Sequence, residues 1–262
     1  MVDGEGLRGG VNVVRRSGDR VHRPSTAATP TIHRLLAHLR ARGFAGAPTP
    51  LGRDAQGDEV LSFLPGEVPG SLPPRLRSER LLGSAGALLR GLHDASASFG
   101  TGPEDRWQVA PRAPREVICH GDIAPYNSVV RDGRVVGFID FDTAHPGPRL
   151  WDLAHAAYRF APLHAPDNPD SLGDIADQAG RVVLLCRAYG REPDGALLDA
   201  VVERLRWTIE HMREQADRGS TAFQEHISDG HIDLYREDIA HIRAHFSALT
   251  RSFDALGAGG IR

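Results

Sequence analysis

His120-Gly121-Asp122-Ile123-Ala124-Pro125-Tyr126-Asn127 stands between a short apolar run, Val117-Ile118-Cys119, and a segment that returns as Phe138-Ile139-Asp140-Phe141-Asp142. Between them, Asp132-Gly133 is flanked by Val129-Val130-Arg131 and Arg134-Val135-Val136. Such a pair predicts a two-residue type I′ hairpin turn, whose central positions both need positive φ. The turn sets a register: Arg131 opposite Arg134, Val130 opposite Val135 and, continued, Asn127 opposite Phe138. Asp140 then lies two residues beyond the partner of Asn127. One oxygen-bearing side chain leaves for the hairpin and the other returns from it, so the two meet at its open end, where a hard divalent cation can bind between them.

Upstream, Glu5 to Gly10 is rich in glycine, and Val11 to Arg16 and Arg20 to Arg23 read as strands around the turn Ser17-Gly18-Asp19. Thr29-Pro30 offers an N-cap and a proline at the first helical position. Ile32, Leu35, Leu36 and Leu39 follow at helical spacing until Gly43. Thr49 to Gly52 and Glu59 to Leu64 read as two more extended pieces, and Pro65-Gly66 breaks the pattern. Beyond a connector at Pro69 to Pro74 the pattern turns helical, with one apolar face on Leu81, Leu82, Ala85, Leu88, Leu89 and Leu92. Similar runs cover Leu172 to Tyr189, Ala196 to Arg218 and His231 to Phe253. Sheet first and helices afterwards predicts an α+β fold with a β-rich lobe at 1–64 and a mainly helical lobe at 65–262.

The chain has 262 residues and a formal net charge of −3, which gives no basic field for a nucleic-acid backbone. Two cysteines without CxxC spacing, no signal-like start and no apolar run near membrane-spanning length predict a cytoplasmic protein that contacts neither nucleic acid nor membrane. The 13 histidines form no H-E-x-x-H or zinc-like spacing, which disfavours an imidazole-bound metal. His93 reads as a packed helix residue. Glu203, Glu210, Glu214 and Asp217, at helical spacings, read as a solvated face or, less favourably, as a binding site for a cationic acceptor.

The H-G-D triplet, with Asn127 five positions after Asp122, resembles the catalytic loop of the aminoglycoside phosphotransferase and choline kinase-like family. Phe138-Ile139-Asp140-Phe141-Asp142 resembles that family's metal-binding segment, and Trp151-Asp152-Leu153-Ala154 its D-L-A segment. Leu7 to Val14 is similar to its glycine-rich entry, and Leu61-Ser62-Phe63-Leu64-Pro65-Gly66 to its interlobe hinge. A trifolitoxin immunity-like branch of the family is also suggested. The resemblance implies a two-lobed protein-kinase-like fold and an ATP-dependent kinase that phosphorylates a hydroxyl of a small molecule with Mg2+. Asp122 is then the base, and His120 a scaffold residue bonded to backbone near the metal segment. Asn127 and Asp140 hold the metal, Asp142 assists it or binds substrate, and Asp152 braces the loop. Gly9 and Gly10 cover phosphate or form an ordinary tight turn. Val13 and Leu64 wall the adenine, which bonds to backbone at Ser62, Phe63 and Leu64.

The sequence departs from that pattern at one pair. All 31 basic residues are arginine, so the usual strand lysine is missing, and the helix over 30–42 carries no acidic residue to partner it. Arg23 stands where the lysine would be, with a forked guanidinium in place of a point charge. Two functions therefore compete: an active small-molecule kinase, and a catalytically weak or silent nucleotide-binding module acting in immunity or regulation. A metal-assisted hydrolase on the same carboxylates lacks a nucleophile motif.

Overall fold

The computed structural model describes residues 5–8 and 13–258, so Gly9 and Gly10 lie outside the described residues, as does the side chain of Val13. The chain sorts into two compact units. One combines Met1–Gly70 with Leu88–Arg149, and the other combines Ser71–Ala87 with Leu150–Arg262. Residues 117–149 thus group with the N-terminal sheet.

In the first unit, β1 (Glu5–Arg8), β2 (Val13–Ser17), β3 (Arg20–Arg23), β4 (Pro50–Arg53) and β5 (Glu59–Ser62) form one antiparallel sheet in the order β1-β2-β3-β5-β4. The β3–β5 register sets Arg23 opposite Glu59. Helix α1 (Thr29–Ala41) buries Ile32, Leu35, Leu36 and Leu39, each contributing roughly 1.5–3 kcal/mol by removal from water. Its cap differs from the expected Thr29. The N-cap position falls on Ala28, while Thr29 Oγ1 accepts from Thr26 N at 2.8 Å and Thr26 Oγ1 from Ala28 N at 3.2 Å. The two threonines thereby fix the entry without a side-chain cap on the helix itself.

Helix α2 (Glu79–Ser96) follows, and the chain then enters β6 (Val117–Cys119). The hairpin is β7 (Ser128–Arg131) and β8 (Arg134–Phe138), and β9 (His145–Gly147) returns to pair with β6. Asp132 and Gly133 both have positive φ, 51° and 68°, as a type I′ turn requires. Arg131 pairs with Arg134 and Val130 with Val135, but Val129 then pairs with Gly137. Val136 is the extra residue of a β-bulge, which shifts everything beyond it by one position. Phe138 therefore faces Ser128 rather than Asn127, and Ile139 N donates to Asn127 O at 2.9 Å. Asp140 lies one residue past Asn127's partner, closer than the unbulged register predicts.

The second unit is helical: the first half of α2, then α3 (Arg149–Phe160), α4 (Ile175–Tyr189), α5 (Gly195–Asp217), α6 (Thr221–Ser228), α7 (His231–Ala244) and α8 (Phe246–Ala258). Asp174 and Asp177 close a capping box at the start of α4. Buried Asp238 of α7 accepts from Ala165 N, Tyr158 Oη and Asn168 Nδ2 at 2.6–2.8 Å, tying the segment after α3 to α7. The expected single run from His231 to Phe253 is two helices broken at His245. No helix among the described residues is long and apolar enough to cross a membrane.

Candidate active site

The hairpin that presents the site is fastened on both sides. Glu67 and Val130 exchange backbone hydrogen bonds at 2.8 and 2.7 Å, and Phe138 N donates to Gly46 O at 2.8 Å. Phe138 is itself fully buried, so the chain leaves β8 toward Asp140 from a rigid support.

His120 is wholly buried and acts through backbone. Its Nε2 lies 2.9 Å from Ile139 O, and its Nδ1 accepts from Asp122 N at 3.3 Å, which fixes the proton on Nε2. The ring also sits 4.5 Å from that of Phe141. One imidazole thus joins the H-G-D loop to the returning segment. Gly121 has φ 85°, and a Cβ there would stand 2.4 Å from Thr143 O. Thr143 Oγ1 donates to His120 O at 3.1 Å.

The Asp122 carboxylate accepts from Asn127 Nδ2 at 2.9 Å and from Tyr126 Oη at 2.9 Å. Asn127 Nδ2 also donates to Asp122 O at 3.0 Å. Only the amide nitrogen can serve two acceptors this way, so the orientation of Asn127 is settled chemically and its Oδ1 points away from Asp122. Asp140 adopts the left-handed conformation, φ 64° and ψ 68°, at the start of a 3-10 turn over Phe141–Thr143.

Arg23 reaches this segment from β3. Its Nη1 donates to Asp140 Oδ1 at 3.0 Å, its Nη2 to Asp142 Oδ1, and its Nε to Glu59 Oε1 at 2.5 Å. His33 Nε2 of α1 lies 2.8 Å from the other oxygen, Glu59 Oε2. Burial works against the Arg23 cation, but the charges of Asp140 and Glu59 outweigh it and hold its pKa above the ordinary arginine value. Glu59 was not visible as a site residue. Its one signal in the sequence is an acidic residue heading the apolar strand Glu59-Val60-Leu61, opposite a strand that ends in arginine. Where the sequence lacks a helix glutamate, a strand glutamate holds the basic residue and the helix contributes His33.

At the strand end expected to meet adenine, two amides are already engaged. Ser62 N donates to Thr49 O at 2.9 Å and Phe63 N to Asp19 O at 2.7 Å. The Phe63 ring is covered by Arg16, 3.7 Å from its centroid. Leu64 lies where a Cβ on Gly137 would approach its Cδ1 to 2.8 Å. Asp152 is fully buried in the first turn of α3, in the other unit. Among the described residues no three His, Cys, Asp or Glu side chains are grouped to hold a metal. The amide oxygen of Asn127 with the carboxylates of Asp140 and Asp142 nevertheless suits Mg2+, which takes few protein oxygens and completes its shell with phosphate and water.

The profile of the phosphotransferase enzyme family matches residues 13–108 and 103–196, on either side of and through this loop and hairpin. The chain belongs to that family. A trifolitoxin immunity protein of Rhizobium leguminosarum bv. trifolii is 36% identical over 204 residues, 74% of this chain and 77% of that protein. Among solved structures, a choline/ethanolamine kinase family protein from Mesorhizobium loti superposes with a TM-score of 0.60 at 18% identity, covering 95% of this chain and 92% of its own. An amicoumacin kinase in complex with AMP-PNP and Ca2+ gives 0.62 at 15% identity, covering 86% and 88%. These neighbours share the α+β, two-lobed kinase-like fold with this phosphotransferase family member.

Proposed function

We propose that this phosphotransferase family member is an ATP-dependent kinase that transfers a phosphoryl group to a hydroxyl of a small molecule. The observation that carries the reading is the convergence of Asp122, Asn127 and Asp140 on one buried scaffold centred on His120. Phosphoryl transfer asks little covalent chemistry of the protein and much positioning and charge compensation. Asp122, oriented by Tyr126 and Asn127, accepts the proton of the acceptor hydroxyl. Asn127 Oδ1 and Asp140 hold Mg2+, with Asp142 beside them; the bound ion neutralises phosphate charge. Arg23 is the basic residue within reach of the phosphates, and the backbone at Leu64 serves the adenine, since the Ser62 and Phe63 amides already donate to Thr49 O and Asp19 O. Two buried cysteines held as thiols suit a reducing compartment such as the cytoplasm.

A second reading is favoured by the 36% identity to an immunity protein: a silent module that binds nucleotide and protects by sequestering a partner. The two separate on acceptor-dependent ADP release and phosphorylated product, followed by mass spectrometry with hydroxylated ligands selected by thermal shift. In a kinase, Asp122→Asn keeps near-normal Mg-ATP affinity and loses about 10²–10⁴-fold in transfer, the usual contribution of a positioned base. Tight ligand binding by the unaltered protein with no product supports the silent module. Product formed at a rate indifferent to Asp122→Asn removes Asp122 from the chemistry.

A further inference from the structure

Three carboxylates converge on one guanidinium. Glu59 takes Nε, Asp140 takes Nη1 and Asp142 takes Nη2, so each nitrogen of the Arg23 fork has its own acid. A lysine ammonium, a point charge on a flexible stem, cannot be held in one plane by acids from both β5 and the segment after β8. The arrangement therefore accounts for arginine at this position. Glu59 is only 2% exposed and cannot keep its charge by hydration. It is fixed by Arg23 on one oxygen and His33 on the other. Anchored at Nε, the guanidinium presents its outer edge to the two aspartates.

We propose that Arg23 is the resident cation of the Asp140–Asp142 pair, and that Glu59, braced by His33, is the positioning residue that keeps it there until nucleotide arrives. The inference rests on reading Asp140 and Asp142 as the metal carboxylates. A divalent ion and the guanidinium compete for the same oxygens, so metal alone binds poorly. Phosphate oxygens compete for the same Nη donors that the aspartates use. Nucleotide thereby draws the outer edge of Arg23 away and opens the aspartates, and metal and nucleotide bind with positive coupling that is reciprocal. Glu59 retains Nε throughout, which keeps the side chain from leaving the site.

Mn2+ serves as the probe, titrated by electron paramagnetic resonance with and without a non-hydrolysable ATP analogue. The double variant Arg23→Gln/Glu59→Gln removes the guard without stranding a buried carboxylate. It is expected to bind Mn2+ alone about tenfold tighter than the unaltered protein, a difference of about 1.4 kcal/mol, and to lose most of the gain that the analogue brings. Arg23→Lys keeps the charge and the Glu59 partner but loses the fork, and gives a smaller tightening, so the idea stays testable if the double variant unfolds. Nucleotide-free Mn2+ affinity unchanged in the folded variants overturns the proposal. Asp140→Asn separates the two levels of inference. If it binds Mn2+ with the analogue as well as the unaltered protein does, the metal assignment fails. If it loses that binding while the Arg23 variants show no tightening, the guard alone fails.

Discussion

Arg23 at the end of β3 and Glu59 at the start of β5 face each other at one register position of the antiparallel sheet, and their side chains meet at 2.5 Å. Both are buried, so removing one partner leaves the other charged away from water. Breaking a buried pair in this way costs about 3–5 kcal/mol, whereas replacing both members by apolar residues can be nearly neutral. Glu59→Leu is expected near the low end, about 3 kcal/mol, because Arg23 keeps Asp140 and Asp142. Arg23→Met/Glu59→Leu should recover most of that loss in urea denaturation. Additive losses in the double variant would show that the two residues are not coupled.

Gly121 and Gly133 both have positive φ, but only one of them meets a neighbour. A Cβ at Gly121 lands 2.4 Å from the backbone oxygen of Thr143, while one at Gly133 meets nothing within 4 Å. Gly121→Ala should cost about 1–3 kcal/mol through strain and clash and should also weaken ATP-analogue binding, since the loop between His120 and Asp122 must shift. Gly133→Ala should cost about 1 kcal/mol and leave that binding intact. Equal effects on binding would detach the Gly121 contact from site geometry.

The H-G-D loop, the Asp132-Gly133 turn and the apolar stripe of α1 were legible because each is encoded locally, in a motif, a turn chemistry or a 3.6-residue period. The bulge at Val136 was not, since Val135-Val136-Gly137 reads as ordinary strand and only the three-dimensional pairing shows the extra residue. Glu59 was hidden for a related reason. Its meaning comes from lying opposite Arg23, 36 residues away. Helix α3 is buried around nearly its whole circumference, and the sequence reading took from it only the Trp151-Asp152-Leu153-Ala154 motif. Helix α6 spans eight residues with none fully buried. The break at His245 has no glycine or proline to announce it.

Cys119 and Cys186 are buried thiols. Burial pushes the Cys186 thiol up to about 12, so it carries almost no thiolate at neutral pH. Native protein at pH 8 should therefore resist alkylation at Cys186, and urea should expose it. Rapid labelling of the native chain at Cys186, read by peptide mass spectrometry, would show that α4 opens locally.

His164 supplies a pH dependence of defined sign. It is 2% exposed, packed 4.5 Å from the Tyr158 ring, and burial, followed by the Arg159 charge, lowers its pKa to about 3. In the unfolded chain the imidazole returns to about 6.5. Above that pH neither state binds the proton, so His164 gives no slope. As pH falls from about 6.5 toward 3, the unfolded chain takes up a proton that the folded chain refuses, and stability declines by at most about 1.4 kcal/mol per pH unit. His231 and His241, whose values are also lowered by burial and by a neighbouring histidine, act in the same direction but more weakly because they are partly exposed. Asp238 acts oppositely: burial raises its pKa, so the folded chain gains that proton first and recovers some stability as pH drops toward the ordinary carboxylate range. Urea denaturation at pH 7.5, 6 and 5 should show falling stability, and His164→Leu should flatten the profile by up to about 1 kcal/mol per pH unit between 6 and 5. Parallel profiles for the two proteins would mean that His164 takes up its proton in the folded state and that the dependence arises elsewhere.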